Sequence, residues 1–304
     1  MAKWTAGHIG DLKGKRVIIT GGASGIGFST SEVLASRGAD LVIAVRSTVK
    51  GEKAAAKIRA KHPAATVTVM HLNLGDLASV RQFAAEYTGQ FDRLDLLINN
   101  AGVMVPPHSK TRDGFELQFG TNHLGHFALT AHLLPVVLAT PRSRIVTVSS
   151  IAARRAKIHF SNLDGSNGYN PMTFYRQSKL ANLLFAIELQ HRLERAEAGT
   201  ISVACHPGIS VTNLLSRGSG RETGIIVRWL MGIVAQPAGK GALPTLYAAT
   251  HPDLRGGEYI GPDGPGNTKG NPVLNNDPER LFNKELAERL WQVSEELTDV
   301  VYPI

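Results

Sequence analysis

Tyr175 and Lys179 stand four apart in "YRQSK" (175–179), inside "FYRQSKLANLLFAIELQHRL" (174–193), whose apolar spacing is that of an amphipathic helix. On a helix, positions i and i+4 share a face. An ammonium beside a phenol favours the phenolate. A free Tyr titrates near 10, and lowering that by about three units takes roughly 4 kcal/mol. Such a pair suits proton transfer at neutral pH. The plainer reading is a Tyr at the edge of a buried stripe with a Lys snorkelling beside it, so the rest of the chain must decide.

A second constellation lies near the start. "KRVIIT" (15–20) reads as a strand, runs into "TGGASGIG" (20–27), and a helix follows at once. Gly21, Gly25 and Gly27 give T-G-x-x-x-G-x-G, with Ser24 and Ile26 between them. A direct strand-to-helix turn needs backbone angles that only Gly adopts cheaply. Missing side chains let a pyrophosphate approach the N–H groups of the helix N-terminus, where the dipole favours an anion. The strand before and the helix after are the context a dinucleotide fingerprint requires. A tight Gly turn with no ligand is the alternative.

The second strand ends in "IAVRST" (43–48). An Asp or Glu about 20 residues past the glycines would hold a ribose 2′-hydroxyl. Val45 stands there, followed by Arg46. With no carboxylate to repel a 2′-phosphate and a guanidinium to pair with one, NADP(H) is favoured over NAD(H). Arg46 stacked on adenine or facing solvent is the competing reading. Ser24 sits where a second basic residue would strengthen the preference.

Other chemistries find less support. His123 and His126 are three apart in "TNHLGHF" (121–127), but no H-E-x-x-H or Cys cluster accompanies them, so packing is the expected role and no metal is expected. His206 lacks the G-x-S-x-G elbow of an acyl-transfer site. No G-x-x-x-x-G-K-[ST] points to an NTPase.

The elements that position these residues follow from the apolar pattern. Val/Ile/Leu-rich runs at 40–45, 66–72, 94–99, 143–150 and 200–207 alternate with helical patterns near 50–61, 77–89, 114–139 and 173–195. Strands apolar on both faces are buried between helix layers. This rhythm predicts an α/β fold: a Rossmann-type, doubly wound parallel sheet in three α/β/α layers, built as one domain over 1–304. "GPDGPGNTKGNP" (261–272) reads as a loop before a last amphipathic helix (278–298). The 304 residues and 43% hydrophobic content suffice for such a core. Lys and Arg give a net charge of +8, but they are scattered. The runs at 11–16 and 153–157 are too short for a nucleic-acid patch, so no nucleic-acid partner is expected. The single Cys205 allows no internal disulfide, which fits a reducing compartment. The first residues carry no apolar signal segment, and "IIVRWLMGIVA" (225–235) is too short to span a bilayer. A cytoplasmic protein without a membrane span is the expectation.

With "TGGASGIG", "NNAG" (99–102), "TNHLGHF", "VSS" (148–150), "YRQSK" and "HPG" (206–208) in this order, the chain resembles the short-chain dehydrogenase/reductase family over about 14–212. "NNAGVM", "GTNHLGHF", "YRQSKLANLLF", "ACHPG" and the tail "ERLWQVSEELT" (289–298) are similar to its retinol-dehydrogenase-like branch. The resemblance implies Tyr175 as the general acid in carbonyl reduction and the base in reverse. Lys179 would hold the nicotinamide ribose and lower the Tyr pKa. It implies Ser150 hydrogen-bonded to the substrate oxygen, and Asn122 anchoring a water in a relay to Lys179. Asn99, Ala101 and Gly102 would line the cofactor floor, Asn73 and Leu74 the adenine end, and Pro207, Gly208 and Thr212 the nicotinamide end. A Ser hydroxyl can donate to a developing oxyanion, and the hydride is the cofactor's own.

Two departures stand out. Asn73 replaces the usual Asp near adenine. The 151–174 stretch is longer than in compact members and is expected to form a flap beside the substrate. The segment 213–240 falls where the family has its lid, and its Ile, Val, Trp, Leu and Met suit a bulky apolar substrate. A lid near 209–240 and a C-terminal extension over 261–304 complete the expected domain. Leu129, Leu133, Val137, Leu180, Leu183, Leu184 and Ile187 carry more apolar surface than one sheet face needs; the family commonly dimerises through these helices, so a homodimer or homotetramer is expected, with plain core packing as the alternative. The expected activity is NADP(H)-dependent interconversion of a carbonyl and an alcohol. A non-catalytic NADP(H) sensor, a C=C reductase of the same fold and a sugar-nucleotide epimerase are the rivals. The last uses a different glycine spacing.

Overall fold

The computed structural model describes residues 3–209 and 236–304. Strands β1 (Arg16–Thr20), β2 (Asp40–Val45), β3 (Val67–His71), β4 (Leu96–Asn99), β5 (Arg144–Val148), β6 (Ile201–Cys205), β7 (Tyr259–Pro262) and β8 (Pro272–Leu274) form one sheet in the order β3-β2-β1-β4-β5-β6-β7-β8. Pairings from β3 through β7 are parallel and β8 is antiparallel. Between β1 and β4 the strand order reverses. That switch point is where an open α/β sheet leaves a crevice for a ligand, beyond the carboxyl ends of the strands.

Alternate residues along each strand serve opposite faces. Ile18, Leu97 and Ile145 pack into one buried cluster with Phe127, Leu133, Phe185 and Trp291. Their neighbours Ile19, Ile98 and Val146 pack into the other, with Leu34, Ile58 and Leu246. Helices α1 (Gly25–Ser36) and α2 (Thr48–Lys61) supply part of the second layer, and α3 (Leu77–Gln90), α4 (Gly125–Ala139) and α5 (Pro171–Arg195) the first. These are the three layers that the strand pattern predicts.

Three expectations are corrected. The stretch 261–272 is not all loop, because its ends lie in strands, with Ile260 opposite Leu274 and Pro262 opposite Pro272. A sheet edge tolerates the missing proline N–H groups, and so few residues carry no periodic signal. The helix expected over 114–139 starts at Leu117 and passes through a π turn at Gly120–Leu124 before α4. The last helix is interrupted: Asp277–Leu281 is a separate turn. After α6 (Leu243–Thr250), α7 then runs Lys284–Thr298, with the Asn283 side chain capping Leu286 N–H.

The apolar stripes on α4 and α5 are not left over. All seven residues named for them are buried within the single chain. Helix α7 lies across the two, with Trp291 edge-on to Phe127 and stacked near Phe185, and the Tyr302 hydroxyl donates to Phe127 C=O at 2.7 Å. These seven side chains thus take the core-packing alternative.

Candidate active site

The glycine turn is built for close approach. Gly21 (φ +68°) and Gly25 (φ +58°) occupy left-handed backbone, which costs an L side chain strain. A Cβ at Gly27 would stand 2.5 Å from Gly21 C=O and 2.7 Å from Asn100 Nδ2, so helix α1 can seat on the turn only with Gly there. Gly22, which spacing alone did not single out, is equally constrained: a Cβ would meet Ile19 and Ser31 at 2.7 Å. Ser24 takes extended backbone at the helix N-cap, and Ile26 is partly exposed in the first turn. The turn leaves backbone, not side chains, at the mouth of a helix N-terminus, which fits a pyrophosphate.

Beneath it, Thr20 Oγ1 accepts from the N–H groups of Asn100 and Ala101, both at 2.9 Å, and Asn100 Nδ2 donates to Thr20 C=O at 2.8 Å. The strands β1 and β4 are thus tied at the crevice. Val45 is buried and Arg46 exposed directly after β2. Past β3, Asn73 Oδ1 accepts from Gly75 N–H, while Leu74 is buried against Gly125. Asn99 ends β4. Its side chain is buried and donates to Thr130 Oγ1 of α4 at 3.0 Å.

Ser150, Tyr175, Lys179 and Asn122 come together at the carboxyl ends of β4 and β5. Pro171 at the first turn and the Asn170 side chain, which accepts from Thr173 N–H, start α5. One turn later Tyr175 faces Ser150. Burial pushes the Tyr175 phenol above its ordinary value, and the hydrogen bond with Ser150 pulls the other way. Ser150 is itself anchored, with its Oγ accepting from Ala152 N–H at 3.1 Å and its C=O from the Tyr259 hydroxyl at 3.2 Å.

Lys179 Nζ donates to Val148 C=O at 3.0 Å and lies 5.9 Å from the centre of the Tyr175 ring. The two share a helix face as the spacing requires, but the ammonium is seated on the strand end and not on the phenol oxygen. Burial lowers the Lys179 pKa to about 8. Asn122 lies in the π turn, where an extra residue per turn marks many functional sites. Its side chain is fully engaged by Val103 and by Ser178, to whose Oγ it donates at 3.0 Å. A Cβ on Gly102 would sit 3.1 Å from Asn122 Oδ1 and 3.7 Å from Lys179 Nζ, so Gly102 keeps the centre open.

At the far end, Gly208 (φ +68°) is pressed against Thr268 C=O, with no room for a side chain, and Pro207 C=O accepts from Gln236 Nε2 at 2.8 Å. Thr212 and nearly all of the expected lid lie outside the described residues. His206 is buried, and its Nδ1 accepts from Gly208 N–H at 3.2 Å. His123 and His126 serve different neighbours: His123 Nε2 pairs with Ser294 of α7 at 2.9 Å, and His126 with Thr20. Sequence reasoning missed Thr20, Asn100, Val103, Ser178, His126 and Tyr259. All but Tyr259 lay inside quoted motifs, but no spacing within those motifs told which partner each side chain would find.

The short chain dehydrogenase family model matches residues 15–219. Retinol dehydrogenase 12 of Mus musculus is 40% identical over 298 residues, covering 95% of this chain and 88% of its own length. Retinol dehydrogenase 11 of the same species is 44% identical over 241 residues, covering 78% and 74%. The crystal structure of an uncharacterized protein from Mycobacterium paratuberculosis superposes with a TM-score of 0.82 at 41% identity, covering 100% of both chains. No described helix is long and apolar enough to cross a membrane. The chain belongs to the short-chain dehydrogenase/reductase family, in its retinol-dehydrogenase-like branch, and is an oxidoreductase that acts on CH–OH groups with NAD(P).

Proposed function

We propose that the protein interconverts a carbonyl and an alcohol using NADP(H), with Tyr175 as general acid/base. One observation carries the reading: Tyr175, facing Ser150, shares its helix face with a buried Lys179 whose Nζ lies beside Gly102. Burying an ammonium is costly, and a buried, pKa-shifted Lys beside a buried Tyr is the arrangement proton-transfer sites use. A cofactor-binding sensor would use Lys179 for the ribose but gives no reason to keep Tyr175 and Ser150 facing each other beside it.

In the reducing direction the Tyr175 hydroxyl donates its proton to the carbonyl oxygen, and the Ser150 hydroxyl donates to the same developing oxyanion. Lys179, held by Val148 C=O, provides positive charge on the Tyr175 side of the site and keeps a donor for the ribose. NADP(H), when bound, supplies or removes the hydride. All four residues come from one chain, so no second subunit is needed to complete this centre.

Exposed Arg46 after buried Val45 supports NADP(H). A bulky apolar alcohol or aldehyde is the proposed substrate class, by analogy with relatives named for retinol. The test is oxidation of NADPH and NADH in parallel against a panel of aldehydes and bulky ketones, with Tyr175→Phe as control. Turnover with NADPH that the Phe variant loses, and an NADPH preference that Arg46→Ala erases, are the expected results. Turnover on NADH alone would overturn the reading of Arg46. Turnover undiminished in Tyr175→Phe would overturn that of Tyr175.

A further inference from the structure

His126 is a buried, titratable side chain that the reaction above does not use. Its Nε2 lies 2.9 Å from Thr20 Oγ1 and its Nδ1 2.9 Å from Asn122 C=O. The hydrogen-bond inventory fixes which nitrogen carries the proton. Thr20 Oγ1 already accepts two backbone N–H groups, from Asn100 and Ala101. Its own hydrogen must therefore point away, and His126 Nε2 at 2.9 Å is nearer than the Ile98 carbonyl at 3.4 Å. Nε2 is then the acceptor. The Asn122 carbonyl can only accept, so Nδ1 bears the hydrogen. Burial, with the charge of Lys179 acting the same way, lowers the ring's pKa to about 4 and keeps it neutral.

The result is one continuous directed chain. The N–H of Ala101 donates to Thr20, Thr20 to His126, and His126 to the Asn122 carbonyl. Thr20 is the last residue of β1 and opens the glycine turn. Asn122 has its side chain committed to Val103 and Ser178, so its carbonyl is the group left to serve the relay. We propose that His126 is a positioning residue: its neutral imidazole sets the Asn122 carbonyl in register with the cofactor-binding turn through Thr20. The inference rests on the reductase reading above, yet half of it is testable without turnover.

The two amide variants separate the two ends of the ring. In His126→Asn the amide N–H reaches the place of Nδ1, which keeps the bond to Asn122 and loses Thr20. In His126→Gln the amide oxygen reaches the place of Nε2, which keeps Thr20 and loses Asn122. His126→Asn should weaken NADPH binding, read by calorimetry without substrate, by about tenfold, with turnover of the saturated enzyme within about twofold of wild type. His126→Gln should bind NADPH within about twofold of wild type and turn over about tenfold more slowly. Parallel losses in both quantities in both variants, tracking Tm, would show a packing role only and overturn the proposal. If neither variant folds, Thr20→Val leaves the ring in place and should weaken NADPH binding at least as much as His126→Asn would, because it also releases the Asn100 and Ala101 N–H groups. Unchanged affinity there would overturn it. Should the wild type bind NADPH but reduce nothing, the reductase reading fails, and the binding comparison still decides this one.

Discussion

Asn122 grips both polar groups of one backbone neighbour: its Oδ1 accepts from Val103 N–H at 2.8 Å and its Nδ2 donates to Val103 C=O at 2.9 Å. This clamp holds the loop after β4 against the π turn, and the Asn122 Nδ2 bond to Ser178 Oγ ties that turn to α5. Asn122→Ala orphans a partly buried N–H and C=O. It should cost about 1–3 kcal/mol in urea unfolding and reduce kcat more than NADPH affinity. A variant of full stability and full kcat would show that the clamp is dispensable.

Tyr175→Phe removes one oxygen from a residue that is otherwise packed. Turnover should fall by about 10²–10⁴-fold, the range for a lost general acid. NADPH affinity should stay within a few-fold, because Lys179 and the glycine turn remain. Stopped-flow measurement of cofactor oxidation separates these effects.

Lys179 is held at a cost to stability. Burial lowers its pKa from 10.5 to about 8. Below pH 8 both folded and unfolded chains carry the charge, and the fold bears the full penalty. From about 8 to 10.5 the folded chain sheds the proton while the unfolded chain keeps it, so stability attributable to this residue rises with pH. Lys179→Met should therefore be inactive, yet more stable than wild type at pH 7 in the cofactor-free state. A gain on the order of 3 kcal/mol follows from that shift, and the gap should close as pH approaches 10.5. A cofactor-free Lys179→Met less stable than wild type at pH 7 would refute this.

Trp291 joins α7 to α4 and α5. It is buried, contacts Phe127, Phe185 and Tyr302, and has the Arg192 guanidinium 4.2 Å from its ring centre. Trp291→Ala should cost about 3–5 kcal/mol, seen as a lower urea midpoint. The loss should also expose the α4 and α5 stripes, so concentration-dependent association by light scattering is the second readout.

Gly27→Ala introduces a Cβ that would stand 2.5 Å from Gly21 C=O, so α1 must shift off the turn. NADPH binding should fall by about two orders of magnitude, a loss near 3 kcal/mol, while Gly89→Ala, whose Cβ meets nothing within 4 Å, should behave as wild type. Equal affinity of the two variants would contradict the cradle.

Much was legible in the chain itself. Six parallel strands showed because strands buried on both faces write unbroken Val/Ile/Leu runs, as "DLVIAV" does over β2. The glycine turn and the Tyr175–Lys179 pair were legible because their geometry is local: a strand-turn-helix junction and one helical turn fix them by spacing. Tertiary structure decided what depends on approach between distant segments. It placed Lys179 on Val148 C=O, tied the Asn99 side chain to Thr130, and linked Thr20 to His126 across 106 positions. It also laid α7 over α4 and α5, turning an apparent surplus of leucines into core, and paired 259–262 with 272–274. A sequence shows which side chains are apolar or titratable. Which partner satisfies a buried donor, or covers an apolar stripe, is set only when the sheet brings the strand ends together.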